Sequence, residues 1–161
     1  MKKSSPTKAM VEMVILDQRL KTWGLPDYKS SMAAAVDLFA CCEKRIELWP
    51  DSKAILISAG FSMHINDPSV CALILPRSGL AHKEGLVLGN STGLIDADYT
   101  GPVMISVWNR SPSTDDPVVI APGARIAQMV FVPIVQVSWS VVDTFSEDSH
   151  RGSGGFGSTG R

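Results

Sequence analysis

Four stretches of this chain gather residue types that bind anions or move protons. In Pro76-Arg77-Ser78-Gly79-Leu80 a guanidinium and a hydroxyl follow an apolar run ending at Leu75. If a short helix starts there, its free N–H groups, the Ser78 hydroxyl and Arg77 together form an anion site. The plainer alternative is that Ser78 caps the helix and Arg77 is a solvated surface charge. The stretch Gly93-Leu94-Ile95-Asp96-Ala97-Asp98-Tyr99-Thr100-Gly101 crowds two carboxylates and a phenol between glycines. Strand geometry would put Asp96 and Asp98 on one face with Tyr99 on the other, and a turn would relax that. One carboxylate could take a proton from a water nucleophile while the other serves structure or a metal shell; an Asp- and Gly-rich β-turn is the alternative. In Pro122-Gly123-Ala124-Arg125-Ile126-Ala127-Gln128-Met129, Arg125 and Gln128 interrupt what otherwise reads as a buried strand. A buried Arg there needs either a carboxylate partner or a ligand. The last stretch is Arg151-Gly152-Ser153-Gly154-Gly155-Phe156-Gly157-Ser158-Thr159-Gly160-Arg161. Most Gly/Ser-rich ends are flexible termini. This one sets a single aromatic among glycines, with Arg before it and hydroxyls after it. Such a segment can approach phosphates closely, bind them, and stack Phe156 on a planar base.

These residues need a scaffold, and 161 residues with 45 % apolar content suffice for one domain with a real core. The net charge of −1 excludes a general nucleic-acid or membrane-surface binder, so any bound polyanion needs cations that converge locally. Cys41, Cys42 and Cys71 are odd in number and lack metal-ligand spacing, which reads as small buried hydrophobes in a reducing compartment. Glu12 and Asp17 interrupt the first apolar stretch, which excludes a secretory h-region, and nothing approaches the roughly 20 apolar residues of a membrane span. The expected location is the cytoplasm.

Short β-branched runs between Gly, Pro, Asp and Asn predict strands near residues 11–16, 35–40, 45–48, 54–65, 70–75, 86–88, 103–109, 118–120, 125–133 and 138–142. Turn signals separate them at Trp49-Pro50-Asp51-Ser52, Asn66-Asp67-Pro68, Ser111-Pro112-Ser113 and Ala121-Pro122-Gly123. This spacing predicts an all-β fold, a jelly-roll-like barrel of short strands. One short helix is expected over 77–85, with Ser78 near the N-cap and Gly85 closing it. Residues 1–145 then form the β-domain, and 146–161 a flexible glycine-rich C-terminal tail of the same unit. His64, His82 and His150 have no assignable carboxylate or Cys partner, and the four Trp residues read as packing or interface.

In order and spacing, these stretches resemble the trimeric dUTPase (dUTP pyrophosphatase) family, with the stretch from His82 to Arg110 especially similar to its bacterial branch. The family's five motifs fall at Ala35-Val36-Asp37-Leu38, Pro76 to Leu80, Gly93 to Gly101, Gly123 to Gln128, and Arg151 to Gly160. Two positions depart from the pattern: Ala35 where Gly is usual, and Ala124 where an acidic residue is frequent.

The resemblance implies a β-clip architecture and Mg²⁺-assisted hydrolysis of dUTP to dUMP and pyrophosphate. That reaction keeps uracil out of DNA and supplies dUMP for thymidylate synthesis. It implies a hairpin from about Leu88 to Tyr99 whose backbone reads uracil, with Asn90, Gly93, Leu94, Ile95 and Met104 around the nucleoside. Tyr99 would pack beneath the deoxyribose and exclude a 2′-hydroxyl, and Asp96 would deprotonate the water that attacks the α-phosphorus. Arg77, Ser78, Gly79 and Gln128 would bind the phosphates, with Asp37 touching Mg²⁺ only through water. Arg151 would meet the γ-phosphate, Phe156 would cover uracil, and Gly157, Ser158 and Thr159 would close on the phosphates. The implied assembly is a homotrimer with sites shared between subunits, with no nucleic-acid or membrane partner. A dCTP deaminase of the same fold would use a Glu near the base, and the hairpin has none. A non-catalytic dUTPase-like regulator would have no need of both Asp96 and the tail.

Overall fold

The computed structural model describes residues 10–111 and 116–146. The tail motif, His150 and most of the turn expected at 111–113 lie outside the described residues. Ten antiparallel strands form: β1 Glu12–Ile15, β2 Val36–Phe39, β3 Ile46–Leu48, β4 Ile55–His64, β5 Val70–Pro76, β6 Leu86–Leu88, β7 Gly93–Ile95, β8 Pro102–Asn109, β9 Val118–Ile120 and β10 Arg125–Pro133. They make one sheet in the order β1-β4-β8-β6, a second in the order β2-β10-β5-β7, and a small β3-β9 ribbon. Alternation builds the core: in β8, Val103, Ile105 and Val107 are fully buried while Met104 and Trp108 face outward. Phe61, Leu38 and Ile120 fill the space against them.

Three sequence expectations change. The strand expected at 138–142 does not form: residues 134–142 run without regular structure, and Trp139 and Val141 are 89 % and 96 % exposed. A strand needs a ladder partner for its N–H and C=O groups, and among the described residues none lies alongside. The hairpin expected from Leu88 to Tyr99 is split between the two sheets, because β6 pairs with β8 whereas β7 pairs with β5. Third, a helical turn absent from the sequence reading, α1 Leu20–Trp23, follows β1. Asp17 starts it by accepting the Arg19 N–H at 2.9 Å, and burial of Leu20 completes it.

The α1 turn seats on a bulge in β4. Between the pairs Ser58–Met104 and Ser62–Pro102, β4 advances four residues while β8 advances two. Gly60 lies inside this bulge at φ 83°, and its carbonyl accepts both Leu16 N–H (2.8 Å) and Asp17 N–H (2.9 Å). A Cβ there would run into Cys41 Sγ and stand 3.0 Å from Leu20 Cδ1. Only glycine satisfies both the dihedral and the contact. Trp23 then packs against Phe39, with centroids 6.4 Å apart, and against Gly123, where a Cβ would come within 2.9 Å of the indole.

Arg19 locks the same corner. Its guanidinium binds Asp17 at 2.6 Å, Cys42 O at 3.1 Å and Glu43 at 3.1 Å, and lies over the Trp23 ring. The Arg19 side-chain hydrogen bond holds the Asp17 carboxyl below the ordinary carboxylate range. Burial pushes the neighbouring Cys41 thiol up to about 11, so it stays a protonated, inert packing group. All three cysteines are free, as expected of a chain without a disulfide framework.

This corner generates two stability predictions. Gly60→Ala should lower unfolding free energy by on the order of 3 kcal/mol, from combined backbone strain and overpacking. An unchanged urea midpoint would contradict the bulge geometry. Asp17 is depressed in the folded state, so its stabilisation is present above the ordinary carboxyl range and is lost as pH falls below that range through the lowered folded value. Urea melts of the parent and Asp17→Asn should therefore differ at pH 6 and converge towards pH 3; a constant difference would count against the pair.

Candidate active site

The polar cluster at the end of the second sheet is set by the register of β10. Gln128 lies opposite Asp37 of β2 on one side and Leu75 of β5 on the other. A bulge between Arg125 and Ala127 sets two residues of β10 against one of β2, which turns Arg125 onto the face that carries Asp37 and Gln128. Asp37 then accepts from two guanidiniums, Arg77 Nε at 2.9 Å and Arg125 Nη1 at 3.0 Å. Arg77 Nη1 also donates to Arg125 O at 3.0 Å, and Gln128 Nε2 donates to Pro76 O at 2.9 Å. Arg125 is exposed rather than buried, and of its two sequence-level readings the carboxylate partner is the one realised. The three motifs carrying Asp37, Arg77 and Arg125 thus meet in one hydrogen-bonded knot.

The segment after β5 is a wide helical turn, α2 Leu80–Glu84, in which Gly85 N–H reaches Leu80 O five residues back. Gly85 is left-handed (φ 75°), as expected for the residue that closes the helix. Ser78 does not act as an N-cap. Gly79 holds that position with helical dihedrals, and no side-chain hydrogen bond caps the turn. The Ser78 hydroxyl is therefore not spent on a cap. Asp37, Arg77, Ser78, Gly79 and Gln128 line one cavity of about 370 Å³, joined by Leu80 of the same motif and by Lys83 and Glu84, to which the sequence reading assigned no site role. Only their place on the helix after Arg77 and Ser78 could have pointed to them.

A second cavity, about 190 Å³, lies where the chain crosses between sheets at residues 89–92. Asn90, Gly93, Leu94, Ile95, Asp96, Tyr99 and Met104 line it, together with Ile74, Pro102 and Val103. Gly93 lets β7 lie close to β5: a Cβ would stand 3.1 Å from Ile74 Cβ. β7 is an edge strand, so one row of its backbone groups has no ladder partner among the described residues. A turn follows, with Tyr99 N–H on Asp96 O at 3.2 Å, and it separates the two carboxylates: Asp96 lines the cavity and Asp98 does not. The Tyr99 hydroxyl donates to Pro102 O at 3.0 Å, which fixes the ring across the cavity mouth.

The two cavities share no lining residue. One is polar and charged, suited to a phosphate chain; the other offers an edge-strand backbone, an aromatic ring and a carboxylate, suited to a planar base and its sugar. A larger hollow of about 420 Å³ borders Asp17, Arg19, Cys41 and Glu43, but Arg19 ion-pairs both carboxylates there, so its charges are already satisfied. His64 Nδ1 lies 3.4 Å from Glu12, a partner the sequence did not reveal, remote from either cavity lining.

Among the described residues there is no group of three or more His, Cys, Asp or Glu that could cage a metal. Two carboxylates, Asp37 and Glu84, are too few to cage a metal, and Asp37 beside Arg77, Ser78 and Gln128 fits an ion carried in on phosphate oxygens. Asp37, with a guanidinium on each oxygen, is a poor direct ligand and can serve only from outside. Arg151, Phe156, Gly157, Ser158 and Thr159 lie outside the described residues.

The sequence model of the dUTPase family matches residues 21–160. The chain is 51 % identical to the deoxyuridine 5'-triphosphate nucleotidohydrolase of Tolumonas auensis, over 94 % of this chain and 97 % of that protein. It is 53 % identical to the enzyme of the same name from Xanthomonas campestris pv. campestris, over 93 % and 96 % respectively. Among solved structures, the Staphylococcus bacteriophage 80alpha dUTPase with dUPNHPP matches with a TM-score of 0.82 at 25 % identity, covering 96 % of this chain and all of that one. A phage phi11 dUTPase, described with a coordinated structural Mg(II) ion, shares the fold at a TM-score of 0.71 and 22 % identity, over 86 % of this chain and 99 % of that one. This chain belongs to the dUTPase family.

Proposed function

We infer that the chain hydrolyses dUTP to dUMP and pyrophosphate, keeping uracil out of DNA and supplying dUMP for thymidylate synthesis. The observation that carries the reading is the convergence of the edge strand β7, Asp96 and Tyr99 on one small cavity. Backbone groups in fixed positions accept uracil and reject cytosine, because the wrong donor–acceptor pattern leaves buried polar groups unpaired. Asn90, Gly93, Leu94, Ile95 and Met104 enclose the base and sugar, and Tyr99 packs against the deoxyribose where a 2′-hydroxyl would otherwise sit. Arg77, Ser78, Gly79 and Gln128 hold the phosphate chain. A carboxylate oxygen of Asp96 takes a proton from water as the water oxygen bonds to the α-phosphorus. The bond from that phosphorus to the bridging oxygen breaks, and its electron pair leaves with pyrophosphate. Mg²⁺, when bound, would neutralise charge on the phosphate oxygens, and Asp37 would help hold it through water. The protein's own contribution is positioning and the accepted proton.

The active assembly in this reading is a homotrimer with shared sites. Two observations support it. The nucleoside and phosphate cavities share no lining residue, which fits a site whose halves come from different copies. Apolar residues also alternate along Val135, Val137, Trp139 and Val141, all exposed, while Trp49 and Trp108 are 43 % and 40 % exposed. A strand-patterned segment with no strand beside it, and this much exposed aromatic surface, fit burial against another copy. Residues 146–161 act as the lid of the same single domain: Arg151 on the γ-phosphate, Phe156 over uracil, and Gly157, Ser158 and Thr159 on the phosphates. No helix among the described residues is long and apolar enough to cross a membrane. The near-neutral charge favours a cytoplasmic enzyme that binds neither nucleic acid nor membrane.

Asp96→Asn should lower kcat by about 10²–10⁴-fold with dUPNHPP affinity retained, the signature of a lost proton acceptor; unchanged turnover removes Asp96 from the mechanism. Deleting residues 152–161 should leave the assembly folded by sedimentation and circular dichroism, while kcat/KM falls by about 100-fold or more. A truncated enzyme with full turnover refutes the lid.

A further inference from the structure

The phosphate cavity has a charge problem that Arg77 alone does not solve. Its charged lining is Asp37, Arg77, Lys83 and Glu84, two carboxylates against two cations. Arg77 is already committed to Asp37 at 2.9 Å, and Arg125, which reaches the same carboxylate at 3.0 Å, does not line the cavity. Lys83 has no ion pair among the described residues and is exposed. It lies three residues after Leu80 on α2, and both residues line the cavity. Without Lys83 the lining carries a net formal charge of −1, which repels the polyanion it is meant to hold.

We propose that Lys83 is a substrate-binding residue of this site, its ammonium meeting the phosphates beyond the scissile one and the pyrophosphate that leaves. The proposal rests on the dUTPase reading and deepens it. The cavity gathers phosphate-binding groups and shares no lining residue with the nucleoside cavity, so it takes the end of the substrate away from the nucleoside. A lysine suits such a position, because a strongly hydrated point charge on a flexible stem follows mobile terminal phosphates without imposing the planar geometry of a guanidinium.

The test compares the parent with Lys83→Ala, Lys83→Arg and a charge-matched control, Lys53→Ala, whose residue is exposed and lines no part of this cavity. Binding of Mg²⁺–dUPNHPP and of dUMP is measured by calorimetry across a range of ionic strengths. Lys83→Ala should weaken dUPNHPP binding by about tenfold and flatten its salt dependence, with dUMP affinity kept within roughly twofold. Lys83→Arg and Lys53→Ala should both stay within roughly twofold of the parent for either ligand. If Lys83→Ala binds dUPNHPP like the parent, or loses dUMP and dUPNHPP equally, Lys83 has no role at the distal phosphates. A parent that binds dUPNHPP but leaves dUTP intact would instead strike the hydrolase reading, a result separable from either outcome for Lys83.

Discussion

The phosphate half of the site depends on one strand being in register with two neighbours at once. β10 pairs Gln128 with Asp37 of β2 and with Leu75 of β5, so residues distant in sequence meet across a single strand. A one-residue slip would turn Gln128 and Asp37 to opposite faces and bury a charge. The bulge at Arg125 makes the arrangement tighter, because it adds a second guanidinium to Asp37 on the face where regular alternation would have put an apolar side chain. Held by two arginines, Asp37 acts as the anchor of the cluster: it fixes where Arg77 points, and Arg77 opens the turn that leads into α2. Trp23, wedged against Gly123 and Phe39, braces the turn from which β10 departs. The corner built on Gly60 and Arg19 is therefore connected to the site by packing, although none of its own residues lines either cavity.

The nucleoside half is built on a different principle. In the proposed reading its reader is backbone, exposed because β7 ends a sheet, and its selectivity would come from how closely that edge can be approached. Gly93 lets β7 sit against Ile74, and the Tyr99 hydroxyl, tied to Pro102 O, holds the ring in place. Edge strands are normally an aggregation hazard; here the short edge is the recognition element, and a bound base would cover it. The division of labour is physical. Charge and hydrogen-bond donors that would compete with base recognition line a separate cavity, and in the proposed homotrimer the two halves would come together through assembly.

Much of this was legible before the structure. Gly, Pro and Asp punctuation located nine of the ten strands to within a few residues, because turns have strict local chemistry. The tenth, β7, lay within the expected hairpin, but its partner was misjudged: Leu86–Leu88 and Gly93–Ile95 are close in sequence, yet each is stabilised by a different sheet. Local pattern reports which face of a strand is apolar and is silent about its neighbour. Residues 138–142 failed for the same reason, since alternation at Val137, Trp139 and Val141 signals a face to be covered and does not supply the ladder. The α1 turn has too few residues for a helical period and forms through Asp17 and tertiary burial of Leu20. The Asp37–Arg125 pair spans 88 residues, which no local spacing encodes. Ser78 lies next to the N-cap residue Gly79, near the N-cap as expected, and it lines the cavity without itself capping the turn.

The central claim, that the nucleoside and phosphate halves of one working site come from different copies of the chain, is tested most directly by subunit complementation. Asp96→Asn and Arg77→Ala are each prepared as nearly inactive enzymes, then mixed in equal amounts, unfolded and refolded together. If the halves belong to different subunits, random assembly leaves about a quarter of the sites with both residues intact, and the mixture regains activity in that proportion. A refolded mixture as inactive as its two components would contradict the account and place both halves of the site on a single chain.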